Sequence, residues 1–207
     1  MNWLVVTILL SVSAHARSSL PAFSTATPVE PAPGQQSVSA CPLGRMADSL
    51  RNGGDWQDLS VILQVNPELR RTFADIMPDF QLAFLHHSSH GVLLIQGTPL
   101  EESPIDGEEA ESFWREVVDE TRSSCASSGV ACAVRRLPGA PQGLSASTRI
   151  PQGRDVYRRE TLAFIGADHC SYAIQFSGPE STLSPEDWKN LHHRLDALRQ
   201  LVAASHP

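Results

Sequence analysis

Hydrophobic positions change their period several times along this chain, and each change marks an element. From Leu59 they alternate, as Leu59, Val61, Leu63 and Val65 with Ser60 and Gln64 between them. That period of two predicts a half-buried strand, closed by Pro67. A short helix is expected ahead of Gly53-Gly54, and another over Glu68–Met77 before Pro78. Phe80, Leu82 and Phe84 alternate again, and Val92-Leu93-Leu94-Ile95 follows. The two runs predict a hairpin with His87-Ser88-Ser89-His90 at its tip. The second arm is almost continuously apolar, which suits a strand in the interior of a sheet.

Across Glu108–Cys125 the period lengthens. Ala110, Phe113, Trp114, Val117, Val118, Thr121 and Cys125 recur at three- and four-residue steps, the apolar stripe of a helix. Asp106 is placed to cap it, with Glu109 three residues on. Glu108, Glu109 and Glu111 suit the positive end of the helix dipole, which accounts for the acidic cluster beginning at Glu101-Glu102 without a cation site. Strands are then expected over Val130–Arg136, Leu144–Ile150, Val156–Phe164 and Cys170–Phe176. Ser184-Pro185 gives a second helix its N-cap and first position. Leu183 can staple against Trp188, and Trp188, Leu191, Leu195, Leu198 and Val202 make the buried stripe. Strands, helix, antiparallel strands, helix: this order predicts an α+β domain, a mostly antiparallel sheet of about six strands with two main amphipathic helices.

Composition separates this domain from what precedes it. Met1–Ala16 has no charged side chain, an apolar stretch Leu4–Leu10 and small residues at Ala14 and Ala16. The stretch is shorter than the roughly 20 residues that span a bilayer, so it predicts a cleaved secretory signal peptide with no transmembrane anchor left afterwards. Residues 17–40 are Ser-, Thr-, Ala- and Pro-rich, a composition that buries too little apolar surface to order itself. They read as a tether, and 41–207 as a single α+β domain. The 16 basic residues against 23 acidic ones give a net charge of −7. That balance argues against a nucleic-acid surface, whose affinity comes mainly from cationic phosphate contacts. A secreted protein, most simply in a bacterial periplasm, is the expectation.

In such a compartment Cys41, Cys125, Cys132 and Cys170 should be oxidised. Four cysteines allow three pairings. Local geometry favours Cys125–Cys132, from the end of the predicted helix to the strand after it across Ser127-Ser128-Gly129, which leaves Cys41–Cys170. A metal or redox site is the weaker reading, because no CxxC and no zinc-like spacing occurs.

The strands Tyr157–Phe164 and Cys170-Ser171-Tyr172-Ala173-Ile174-Gln175-Phe176, the turn Ser177-Gly178-Pro179-Glu180 and the closing helix from Ser184 form a pattern. Over Trp56–Ala204 it resembles the small sandwich domains related to the photosystem subunit PsbP and the nuclear-transport factor Mog1. The resemblance implies a PsbP/Mog1-like sandwich that serves as a binding or assembly module and carries no transferable catalytic residues.

Few residues point to chemistry. His86, His87 and His90 flank the hairpin tip and could offer imidazoles to zinc or copper, although a complete site needs three or four ligands. Gly143-Leu144-Ser145-Ala146-Ser147 approximates a nucleophile elbow but runs into strand-like residues instead of a helix. No glycine-rich loop precedes a helix as a phosphate cradle requires, and no cofactor is expected. Arg135, Arg136, Arg149, Arg154, Arg158 and Arg159 concentrate positive charge among the later strands, as a solvated sheet face or a patch for an acidic protein or anionic lipid. The leading expectation is a non-enzymatic binding or assembly domain whose partner is another envelope or secreted protein, with a periplasmic immunity-type inhibitor as one version. The alternatives are a histidine-based metal-binding protein and a small hydrolase.

Overall fold

Two meanders joined by one long helix build a single sheet. The computed structural model describes residues 41–100, 107–137, 139 and 141–203. The expected signal peptide and tether, the Asp106 cap and Glu101-Glu102 lie outside these residues. The first meander is β1 (Trp56–Asp58), β2 (Leu82–His86) and β3 (Val92–Pro99). The second is β4 (Ala131–Leu137), β5 (Gly143–Gln152), β6 (Asp155–Ile165) and β7 (Cys170–Pro179). Helix α4 (Gly107–Ser128) carries the chain from β3 to the far edge, and the second meander returns until β7 pairs with β3. The order is β1-β2-β3-β7-β6-β5-β4, with every neighbouring pair antiparallel. The fold is α+β, with one open sheet of seven strands.

Short helices α1 (Gly44–Arg51), α2 (Ser60–Val65) and α3 (Pro67–Ala74) and the closing α5 (Pro185–Ala203) complete it. Helices α1 and α5 cover one face of the sheet, over a core that includes Met46, Leu50, Phe84, Leu93, Ile95, Phe164, Ile174, Phe176, Leu191 and Leu198. Two separate clusters cover the other. Leu59, Leu63, Phe73, Met77 and Phe80 pack on Ala83, Leu94 and Ala173, whereas Trp114, Val117 and Val118 of α4 pack on Val134, Leu144 and Ala146. Each large apolar side chain so buried stabilises the fold by about 1.5–3 kcal/mol. The ring of Phe176 lies over Gly91, where an added Cβ would stand 2.2 Å from the ring.

One expected strand is a helix. The Leu59–Val65 run forms α2, and the strand is the unpredicted β1 just before it. Asp58 Oδ1 accepts the Ser60 N–H at 2.8 Å, and the Leu63 N–H reaches the Leu59 carbonyl at 2.9 Å. Leu59 and Leu63 are one turn apart and buried, while Val61 and Val65 are 70% and 79% exposed. An alternating run contains i, i+4 pairs as well, and here the helical pair alone meets a core. Asn66 then caps α3, accepting from Leu69 N–H at 3.0 Å ahead of Pro67. The other elements fall where the period places them. The closing helix opens with a reciprocal cap: Ser184 N–H and Oγ donate to Asp187 Oδ2, and the Asp187 N–H donates to Ser184 Oγ at 3.2 Å.

Cys41 stands at bonding distance from Cys170 (S–S 2.09 Å) and Cys125 from Cys132 (2.04 Å), the pairs that local geometry favours. No helix among the described residues is long and apolar enough to cross a membrane.

Candidate functional site

The densest gathering of chemistry-bearing side chains lies where α5 begins above β5 and β6. Cross-strand register sets its floor: Ser147 faces Glu160 and Arg149 faces Arg158, so all four project from the face that α5 covers. Trp188 and His192, one turn apart on α5, come down onto them. Arg158, Trp188 and His192, with Glu180, Leu183, Pro185 and Lys189, line an open groove of about 490 Å³.

Glu160 is the hub. Its carboxylate accepts from Ser147 Oγ at 2.8 Å and from Arg158 Nε, and its Oε2 stands 3.2 Å from His192 Nε2. The His192 contact is an ion-pair approach to a buried Nε2. Burial pushes the Glu160 carboxyl up, but His192, Ser147 and Arg158 together hold it below the usual carboxylate range. The Arg158 guanidinium also lies 4.5 Å from the centre of the Trp188 ring, a cation–π contact. Beside it Arg149 grips Glu180, with Nε at 2.9 Å and 3.1 Å from its two oxygens.

This arrangement is poor for nucleophilic catalysis. A serine nucleophile needs a base whose pKa lies near the working pH. Ser147 instead donates its hydrogen bond to a carboxylate of lowered pKa, and Glu160 occupies the place between serine and histidine where the histidine would have to be. Ser145 accepts a hydrogen bond from Arg135 Nε at 3.0 Å and is buried within β5. Gly143–Ser147 is strand throughout, so no elbow forms. The site combines a buried tryptophan, charged side chains at its rim and a preorganised polar network.

The three histidines of the hairpin do not form a metal-holding group. The His86 ring packs 4.7 Å from Trp56 and 6.3 Å from Phe176, and its Nδ1 pairs with the buried Ser89 Oγ at 2.9 Å. Burial lowers its pKa. His90 takes the left-handed conformation (φ 54°) that closes the turn. Among the described residues no three His, Cys, Asp or Glu side chains are placed to hold a metal ion.

The arginines do not form one patch. Neighbours in a strand point to opposite faces, so Arg135, Arg149 and Arg158 lie on the α5 side and Arg136 and Arg159 on the other. Arg136 is bound to Glu111 of α4 and to Gln142. Arg159 has no ion-pair partner among the described residues; its Nε is buried without a hydrogen bond, and burial lowers its pKa. Glu160 and Trp188 are site residues beyond those the sequence singles out. The signal for Glu160 was available, since Glu160 shares its parity with Leu162 and Phe164 and therefore had to face the core.

No protein-family model matches this chain, and no curated protein matches it in sequence.

Proposed function

We propose that the domain is a non-enzymatic binding module working outside the cytoplasm, and that its groove at the start of α5 receives an acidic segment of another exported polypeptide. The observation that carries this reading is the groove itself, where the exposed side chains of Arg149 and Lys189, ion-paired only at the surface with Glu180 and Glu186, stand beside Arg158 and Trp188. Desolvated aromatic and arginine side chains are the groups that most often anchor a protein partner. Two cysteine pairs at bonding distance suit an oxidising compartment. A binding role is also what the resemblance to the PsbP- and Mog1-related domains implies.

The test uses exposed side chains, with circular dichroism of each variant to check the fold. The full chain and its Arg149→Glu/Lys189→Glu variant are immobilised and exposed to an exported-protein extract, alongside an Arg115→Glu control on α4. A partner held by wild type and control but lost by the groove variant is the expected result. Retention by all three, or by none, overturns the reading.

A further inference from the structure

Strand β4 ends the sheet on its side, and among the described residues it has a hydrogen-bonding neighbour only in β5. Which of its main-chain groups point outward follows from the ladder. The Ile165 N–H donates to the Gln142 carbonyl, so odd-numbered residues of β6 bond toward β5, and the Gly166 N–H bonds to the Cys170 carbonyl on the other side. Alternation carries that parity across the register, so odd residues of β5 bond to odd residues of β4. The N–H and C=O groups of Cys132, Val134 and Arg136 therefore point away from the sheet. Helix α4 is strapped along this edge at all three. Cys125 stands at bonding distance from Cys132, Arg122 Nε donates to the Val134 carbonyl at 3.2 Å, and Arg136 pairs with Glu111.

A free edge is a template for another strand, and folds blunt it with short strands, proline, bulges or charge. β4 is seven residues long, contains no proline and pairs with β5 residue for residue, so no bulge turns it aside. Its guard is the exposed guanidinium of Arg122, which also pairs with Asp119 at 3.1 Å. A second copy laid antiparallel on this edge, about a two-fold axis through Val134, fits it. Cys132 then faces Arg136 of the other copy, Ala133 faces Arg135, and Ala131 faces Leu137. No arginine meets an arginine, whereas like charges directly opposite would oppose the pairing. The same axis sets the two α4 helices side by side in opposite directions. Arg122, already at Val134, lies beside the axis with Asp119 one turn back, so Arg122 of each copy meets Asp119 of the other. The Val134 carbonyl that Arg122 leaves takes the Val134 N–H of the second copy. A two-fold interface must be complementary to itself, and here both the strand and the helix meet that condition.

We propose that the β4 edge is a self-association surface, at which two copies join antiparallel about Val134 with Arg122 of each paired to Asp119 of the other. The sheet then runs on through both molecules. The inference does not depend on what the groove at the start of α5 receives.

Sedimentation equilibrium of the full chain measures the association, with circular dichroism to check the fold of each variant. Wild type should dimerise at concentrations below about 1 mM. Asp119→Arg and Arg122→Asp each set like charges across the axis and should weaken the dimer by about tenfold or more. An equimolar mixture of the two variants sets opposite charges at both contacts and should recover dimers. Amide exchange on wild type is an independent readout. Concentrating the protein should slow exchange at Cys132, Val134 and Arg136 and leave Ala133 and Arg135, already bonded to β5, unchanged. Should either variant fail to fold, that alternation on wild type decides alone. A chain that stays monomeric, a dimer indifferent to both substitutions, no recovery on mixing, or equal slowing along the whole of β4 each overturns the proposal.

Discussion

Glu160 and His86 show how the same physical influence, burial, acts on two titrating groups with different partners. Burial lowers the His86 pKa below its ordinary 6.5, with Asp55 opposing. The unfolded chain therefore takes up that proton first, so the contribution is complete above about 6.5 and is lost as pH falls through the folded value. For Glu160 burial pushes upward, but His192, Ser147 and Arg158 prevail and hold it below 4.5. Its contribution is present above that value and lost as pH falls further. Urea unfolding across the acid range should thus show two successive losses of stability. His86→Gln should remove the one that begins near neutrality. Glu160→Gln should flatten the lower one and cost about 1–3 kcal/mol at neutral pH, since it leaves Arg158 and Ser147 with a weaker acceptor. A single slope unaffected by either substitution would contradict the assignment. The arginine-rich strands teach a related lesson at this scale. Arg158 and Arg159 are adjacent in sequence but inhabit opposite faces, one over Trp188 and one on the far side of the sheet.

Among the elements, α2 separates pattern from context. Leu59, Val61, Leu63 and Val65 satisfy a strand's alternation, yet only Leu59 and Leu63 are covered. Leu63→Ala should therefore cost about 2–4 kcal/mol, as other buried leucines do, and Leu59→Ala a similar amount. Val61→Thr and Val65→Thr should stay within about 0.5 kcal/mol, the range of uncommitted surface positions. Equal costs at all four positions, measured by urea unfolding, would restore the strand. The longer elements were legible because their patterns extend over many residues. The stripe of α4 and the reciprocal Ser184–Asp187 cap of α5 leave little room for another period. β1 has no signature in the sequence because Trp56–Asp58 is three residues long, too short to express any period.

For the molecule as a whole, the cysteine pairs brace different spans. Cys41 and Cys170 are separated by 129 residues, Cys125 and Cys132 by 7. Chain entropy scales with the loop closed, so Cys41→Ala/Cys170→Ala should lose about 5 kcal/mol and Cys125→Ala/Cys132→Ala about 2.5 kcal/mol. Thermal unfolding of the two double variants checks the order, and a larger loss for the short loop would refute it. The long pair also fixes the chain ahead of α1 against β7, where the Cys41 Cβ would stand 2.8 Å from a Cβ added at Gly97.

By itself the sequence determined the α+β class, most strand and helix positions, the cap of α5 and the loop lengths its cysteines could close. These are local matters of period, turn chemistry and chain length. Only the tertiary structure decided that Ser147, Glu160, Arg158 and His192 converge under Trp188, and that Arg122 of α4 lies on the free edge of β4 at Val134. Strand order and register bring these residues together across separations that no local pattern encodes, and burial then sets what each polar group must find.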